Sequence, residues 1–316
     1  MTTGICFGSY SPLLRGELDL IMQAKKQCDR CRIIASGDAV GQLRRMFAES
    51  KEVEVLELEQ LSGRPAEDGD TVRWFTKAAF ADTVRLLAAA EDEITIGGED
   101  GTPVNRGDER VEGVLKVQGV QGVSGGSCRR ILITGWASEG KSTLARDIAT
   151  YFQIPYVPEA ARVYMEERHL KDEELTEEDF LQFIRLQNKL IDSAQGRFAI
   201  VDTDNITTLA YTISYAADPD VTAITDESIR RIREEVRVYD WERVYVLPPK
   251  NTYVDDGLRY MKQADIEVRN ENFELLLRLL GEYGLADRIT FLTGNYWENY
   301  LQVRDDILAL WAENLD

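Results

Sequence analysis

The chain has 316 residues, 44% hydrophobic and 29% charged, which is enough apolar material for packed cores and enough length for two ordinary domains. Its 37 basic and 56 acidic residues leave a net charge of −19, which argues against a general nucleic-acid binder because phosphate contacts need a basic face. The single histidine, His169, excludes any mechanism in this chain that needs two imidazoles of its own.

Apolar runs and helical patterns alternate from the start. Ile5–Phe7 reads as a buried strand, followed by a Gly/Ser/Pro turn and a helix over about 16–27 with Leu18, Ile21, Met22 and Lys25 at three- and four-residue spacing. Ile33–Ala35 is a second strand, 39–50 a helix, and Val53–Leu58 a third strand. The spacing of Trp74, Ala78, Val84, Leu87 and Ala88 predicts a helix over 71–90, with a further strand at Ile94–Ile96. Such alternation implies a parallel sheet with crossover helices.

From Glu99 to Ser127 the texture changes to Gly, Asp, Glu, Arg, Val and Gln without a period, the composition of a linker or loop. A second α/β unit opens at Arg130. Its strands are expected at Ile131–Thr134, Tyr156–Val157, Phe198–Val201, Arg243–Leu247 and Ile289–Leu292. Helices are expected at 176–193, 207–215, 227–239, 271–283 and 300–311.

Gly135-Trp136-Ala137-Ser138-Glu139-Gly140-Lys141-Ser142 is the strongest chemical signal. It fits G-x-x-x-x-G-K-[ST] and lies after an apolar strand and before a helix. The glycines let the backbone curl so that its N–H groups face phosphate oxygens, and the helix N-terminus adds partial positive charge. Lys141 supplies a cation for the β- and γ-phosphates, and the Ser142 hydroxyl suits Mg2+. Gly135, Ser138, Glu139, Gly140, Lys141, Ser142 and Thr143 are therefore the expected ATP contacts.

Three later segments bear on what the triphosphate is used for. Glu159 follows a short strand at the expected carboxyl edge of the sheet, where it can act as a general base or cap the next helix. Phe198–Asp204 is an apolar strand ending in acids: Asp202 is the expected metal ligand. Asp204 is a candidate for holding the substrate hydroxyl, an alternative base, or the cap of the helix at Thr207. After Pro248-Pro249, Arg259 and Arg269 flank a polar stretch that reads either as a lid closing on the transferring phosphoryl group, with Arg269 on the nucleotide, or as surface ion pairs. Thr207, Thr208 and Tyr211 read as an ordinary helix face.

Together with the phosphate loop, Pro158-Glu159-Ala160-Ala161-Arg162, Asp202-Thr203-Asp204-Asn205-Ile206-Thr207-Thr208 and Tyr253-Val254-Asp255-Asp256-Gly257-Leu258-Arg259 resemble the kinase domain of the NadR family, from about Arg130 to the C-terminus. Those proteins are bifunctional nicotinamide-mononucleotide adenylyltransferases and ribosylnicotinamide kinases. The resemblance implies an α/β chain: a Rossmann-like nucleotidyltransferase-type domain over 1–100, a linker over 101–128, and a P-loop kinase domain with a parallel sheet over 129–316. It also implies the reaction, in which the 5′-hydroxyl of nicotinamide riboside attacks the γ-phosphate of ATP. Glu159, Arg162, Asp204, Tyr253 and Asp256 are then the substrate contacts, with Tyr253 stacking on the cationic ring. One departure is Ala160, where the family has an aromatic.

The first domain resembles a damaged copy of the family's nucleotidyltransferase. In Ile5–Leu18, Leu14 and Glu17 stand where two histidines bind and polarise a triphosphate. A leucine donates nothing and a glutamate repels phosphate, so adenylyl transfer is not expected. The family's Ser/Thr-x-Ile-Arg segment is absent too. A scaffold, an oligomer contact or a regulatory pocket all remain open for this domain. Two other readings of the whole chain also stay open: a P-loop kinase for another nucleoside or small alcohol, and a nucleotide-responsive regulator with little turnover.

Four cysteines are too few for a disulfide framework, and Cys28-Asp29-Arg30-Cys31 lacks the second pair that a zinc site needs. His169 among charged neighbours reads as solvated. The start at Met1–Gly4 is unlike a signal peptide, and no run approaches ~20 apolar residues. A cytoplasmic protein, binding small molecules and no membrane, is expected, with a homo-oligomer possible.

Overall fold

A computed structural model describes residues 1–8, 10, 15–48, 50–58, 66, 70–76, 84, 92–96, 128–217, 224–251, 253 and 264–312. The chain forms two compact units, each built on a parallel sheet. The expected linker at 101–127 lies outside the described residues.

In the first unit the order of elements is β1 (Thr2–Phe7), α1 (Arg15–Gln27), β2 (Arg30–Ala35), α2 (Asp38–Met46), β3 (Val53–Glu57), β4 (Thr71–Thr76) and β5 (Glu93–Ile96). The sheet order is β3-β2-β1-β4-β5, every pairing parallel. Ile5, Phe7, Ile34, Val72, Trp74 and Val84 form a core cluster. The helix expected over 71–90 is corrected at its start. Thr71–Thr76 is a strand registered against β1 from Thr2↔Thr71 to Phe7↔Thr76. Its residues alternate in burial before becoming continuously buried, and Thr-Val-Arg-Trp-Phe-Thr is β-branched and aromatic, which suits a pleated surface. Helical spacing from Trp74 to Ala78 was coincidental there; apart from Val84, residues 77–90 lie outside the described set.

The second unit runs β6 (Arg129–Gly135), α3 (Lys141–Phe152), β7 (Tyr156–Val157), α4 (Ala160–Arg168), α5 (Glu177–Ser193), β8 (Phe198–Asp202), α6 (Asn205–Ala216), α7 (Asp226–Glu235), β9 (Trp241–Leu247), α8 (Ile266–Glu282), β10 (Ile289–Phe291) and α9 (Tyr296–Ala312). The sheet order is β10-β9-β6-β8-β7, again all parallel. β8 is buried at every position, the signature of a strand covered on both faces by crossover helices. Helix starts are set by local chemistry. Thr176 and Asp179 form a reciprocal capping box at α5, and Asp204 caps α6. Trp136, Trp241, Phe180, Leu276 and Leu280 belong to one large core cluster.

This topology puts four chain segments at one edge of the sheet: the loop after β6, Pro158-Glu159 after β7, Thr203-Asp204 after β8 and Pro248–Asn251 after β9. That is where open α/β sheets bind ligands. Among the described residues no helix is long and apolar enough to cross a membrane.

Gly135 holds the sheet and the loop together. Its φ is 141°, and a Cβ built there would lie 2.4 Å from the Leu247 carbonyl oxygen of β9. Gly135→Ala is expected to destabilise the protein by at least ~2 kcal/mol, since backbone strain and a backbone clash add. A thermal-unfolding midpoint within experimental error of wild type would contradict this.

Candidate functional site

The loop leaves β6 through Gly135 and returns to α3 at Lys141 by way of Ser138 (φ 62°) and Gly140 (φ 81°). These left-handed residues turn the backbone inward, as anion cradles require. Lys141 is buried, and its ammonium donates to the Trp136 carbonyl at 2.7 Å, so its arm folds back across the loop. Thr143 is exposed on the first turn of α3.

Asp202, at the end of the neighbouring strand, is 1% exposed. It accepts a hydrogen bond from the Tyr156 hydroxyl at 3.0 Å, with the Ser142 hydroxyl beside it. Burial, then the nearby Glu159 carboxylate, push the Asp202 carboxyl above its ordinary range; Lys141 and the two hydroxyls pull the other way. Burial and the Asp202 charge likewise raise Tyr156, which stays a phenol donor. A hydroxyl and a carboxylate side by side are hard oxygen donors of the kind that suits Mg2+ shared with nucleotide phosphates. Among the described residues there is no cluster of three or more His, Cys, Asp or Glu that could hold a metal.

Glu159 occupies the N-cap position of α4 without making a side-chain cap. Gln187 takes over that work: its Oε1 accepts from the Ala160 N–H at 2.8 Å while its Nε2 donates to the Pro158 carbonyl. The Glu159 carboxylate, 8% exposed, lies 4.0 Å from Arg162 Nε and borders a cleft. Asp204 is used differently. Its Oδ1 accepts from both the backbone N–H and the hydroxyl of Thr207, at 3.0 and 2.8 Å, and the Thr207 hydroxyl meets that of Thr134 on β6 at 2.7 Å. Of its candidate roles, capping is the one this geometry carries; burial raises its carboxyl against those hydrogen bonds.

The cleft is shallow, with a cavity volume of about 40 Å3, and is partly open to solvent. Glu159, Arg162, Thr203, Thr208, Tyr211, Tyr215 and Asp172 line it together with Phe180, Phe183 and Met165. Thr203 is a β-branched residue at φ 72°, a costly conformation held by its N–H bond to the Ile133 carbonyl. Tyr211 stacks on Trp136 of the loop with centroids 4.0 Å apart, and the Tyr215 hydroxyl donates to Asp172. One wall is thus aromatic, and the polar groups that face it are two acids, an arginine and threonines.

Thr208 and Tyr211, which read as an ordinary helix face, line the cleft, as does Asp172, which reads as part of a solvated acidic run yet is 5% exposed; Thr203, Tyr215 and Gln187 carry no role in the sequence reading. A signal existed: 204, 208, 211 and 215 recur at helical spacing on a helix that starts at the sheet edge. Three expectations need correction. Arg269 is on the first turn of α8, 2% exposed, and paired with Glu139 at 2.9 Å, so it is a member neither of a lid nor of a surface pair. Glu139 correspondingly turns its carboxylate to Arg269 and to the N–H groups of Lys250 and Asn251, which leaves its backbone N–H as the group it can offer a nucleotide. Tyr253 does not line the cleft, because it follows β9, on the opposite side of β6 from β8 and β7. Asp256 and Arg259 lie outside the described residues.

Solved structures similar to this chain include a NadR protein in complex with NR, at 21% identity over 98% of this chain and 96% of that one, TM-score 0.49. Another is a NadR protein in complex with NAD and AMP-PNP, at 20% identity over 100% and 97%, TM-score 0.48. A shikimate kinase from Acinetobacter baumannii in complex with shikimate matches at 12% identity over 60% of this chain and 97% of that chain, TM-score 0.33. Residues 130–296, more than half of the chain, match the model of a family described as an AAA domain, and that stretch runs from β6 with its phosphate loop to the start of α9. The chain belongs to this AAA domain family.

Proposed function

We propose that the second unit, residues 129–316, is a kinase that moves the γ-phosphoryl group of ATP to the 5′-hydroxyl of nicotinamide riboside, releasing nicotinamide mononucleotide and ADP. The observation that carries this reading is Glu159, freed of capping, on the wall of an aromatic cleft, with the phosphate loop and Asp202 at the same sheet edge. A loop and an acidic strand end alone would serve any nucleotide hydrolase. An aromatic wall next to an acid is what an acceptor alcohol on a flat ring needs.

The roles follow from position. The loop N–H groups and Lys141 hold the phosphates, and Lys141 balances charge that develops on the transferring group. Mg2+ held by Ser142 and Asp202 would neutralise phosphate oxygens. Glu159 is the base that takes the acceptor proton, because Gln187 has relieved it of capping and it faces the cleft. Tyr211 and Tyr215 offer π-faces, and Glu159 and Asp172 negative charge, to a cationic pyridinium. The resemblance to the NadR family in the Asp202–Thr208 and Tyr253–Arg259 segments supports the choice of riboside. Ala160, where that family has an aromatic, favours one second reading, a kinase for another nucleoside or small alcohol.

For the first unit, residues 1–100, we propose no adenylyl transfer, with 101–128 as the connecting linker. Glu17 is 2% exposed, and a Cβ on Gly8 would meet both the Tyr10 ring at 3.0 Å and the Glu17 carboxylate at 3.4 Å. The chain's own aromatic and an acid thus crowd the turn after β1 where a triphosphate would need room and donors.

Purified protein with ATP and Mg2+ is expected to phosphorylate nicotinamide riboside, and Lys141→Ala to lose at least ~100-fold in kcat/KM. A nucleoside panel in which riboside is inert and another alcohol turns over would replace the reading with the second one. Glu159→Gln is expected to lower kcat by ~100-fold with the melting temperature unchanged, whereas Asp204→Ala should cost ~1 kcal/mol of stability through its lost cap. The reverse pattern would make Asp204 the base. Incubation with nicotinamide mononucleotide and ATP should yield no NAD; clear product would show that the first unit still works.

A further inference from the structure

The phosphate loop is tied to a distant part of its own unit by a buried ion pair. Glu139 sits at the loop's apex between Ser138 and Gly140, both left-handed, and two residues ahead of Lys141. Its side chain is fully buried and Arg269's nearly so, at 0% and 3% exposed. Oε1 accepts from Arg269 Nη1 at 2.9 Å, and Oε2 accepts from the backbone N–H groups of Lys250 and Asn251 at 3.1 and 3.2 Å. Arg269 Nη2 donates to the Asn251 carbonyl at 2.8 Å, and Asn251 Nδ2 donates back to the Glu139 carbonyl at 3.4 Å. The loop, the turn after β9 and the start of α8 therefore share one polar knot.

We propose that Glu139 and Arg269 are positioning residues that hold the phosphate loop in its nucleotide-receiving shape, their side chains bound to each other and to the backbone of the turn after β9. Two observations favour positioning over simple stabilisation. The first is cost: a buried ion pair rarely outperforms apolar side chains of the same shape, and here burial still pushes the Glu139 carboxyl above its ordinary range despite four attractive partners. Arg269 Nε is moreover buried without a hydrogen-bond partner. The second is place. Two left-handed residues in three are a conformation the loop would relax from, and the pair grips the residue between them. An anchored loop meets phosphate without first paying to be ordered, which shows as affinity. The proposal rests on the loop binding nucleotide and is independent of which alcohol is phosphorylated.

The test compares thermal stability with ADP·Mg2+ affinity, measured by calorimetry, in the full-length chain. Glu139→Gln keeps an acceptor for the backbone N–H groups but removes the charge, and is expected to weaken ADP binding about tenfold. Glu139→Gln with Arg269→Met removes both charges at similar volume. It is expected to melt at or above the wild-type temperature while its ADP affinity stays about tenfold down. Arg269→Lys, the mildest change, keeps the charge and loses the fork, and should fall between. A double variant that binds ADP as tightly as wild type overturns the proposal, leaving the pair a packing feature. Affinity that merely follows melting temperature across the three variants overturns it as well. Wild-type protein that binds no ADP would defeat the nucleotide reading of the loop itself, a failure recognisable before any variant is made.

Discussion

A backbone that curls off the end of a central strand can present several N–H groups to one point only if that strand's neighbours allow the curl. Here the allowance is made at Gly135, whose absent side chain lets β6 approach the Leu247 carbonyl of β9. From there the loop passes through two further left-handed residues to reach Lys141. Everything else in the second unit depends on that curl. The parallel order places β8 beside β6, so the acid that ends β8 falls against the hydroxyl that opens α3. A strand order with another neighbour beside β6 would leave Ser142 and Asp202 without each other.

The electrostatics of this edge are finely divided. Asp202 and Glu159 are both acids in a poorly hydrated corner, and Glu159 raises the cost of the Asp202 charge. Lys141 offsets part of that cost, which keeps the corner receptive to a divalent cation and to the anionic nucleotide that would accompany it. A chain with net charge −19 thus handles phosphate by local means: backbone N–H groups, one buried ammonium and a helix start. Bulk charge and site charge are separate questions, and only the first can be read from composition.

Helix α6 joins the two halves of the site. Its N-terminus is fastened by Asp204 to Thr207 and by Thr207 to Thr134 on β6, so its register against the loop strand is fixed at the first turn. With the register set, Thr208, Tyr211 and Tyr215 face the cleft, and Tyr211 lies flat against Trp136. The cap residue therefore shapes the cleft without entering it. That division of labour explains why two acids two residues apart, Asp202 and Asp204, do such different things: a strand's last side chain points at the loop, and the next turn's acid satisfies the helix it begins.

Much of this molecule was legible from residue order. Continuous apolar runs marked β1, β2, β6, β8 and β9, since strands covered on both faces need no alternation. The phosphate loop was plain because its chemistry lies within eight consecutive residues. Local signals failed where two periods compete: Trp74 to Ala88 scans as a helix, yet pairing with β1 makes 71–76 a strand, because a sheet's hydrogen bonds outweigh a chance spacing. The partners of Glu139 were equally out of reach, since Lys250, Asn251 and Arg269 lie more than a hundred residues away and only folding brings them to the loop. The sequence by itself determined the kind of sheet, the anion cradle and the acids that end the strands, all written within short spans of chain. Only the tertiary structure decided which acid caps, which faces the cleft and which arginine anchors the loop, because direction and burial are set by neighbours distant in the chain.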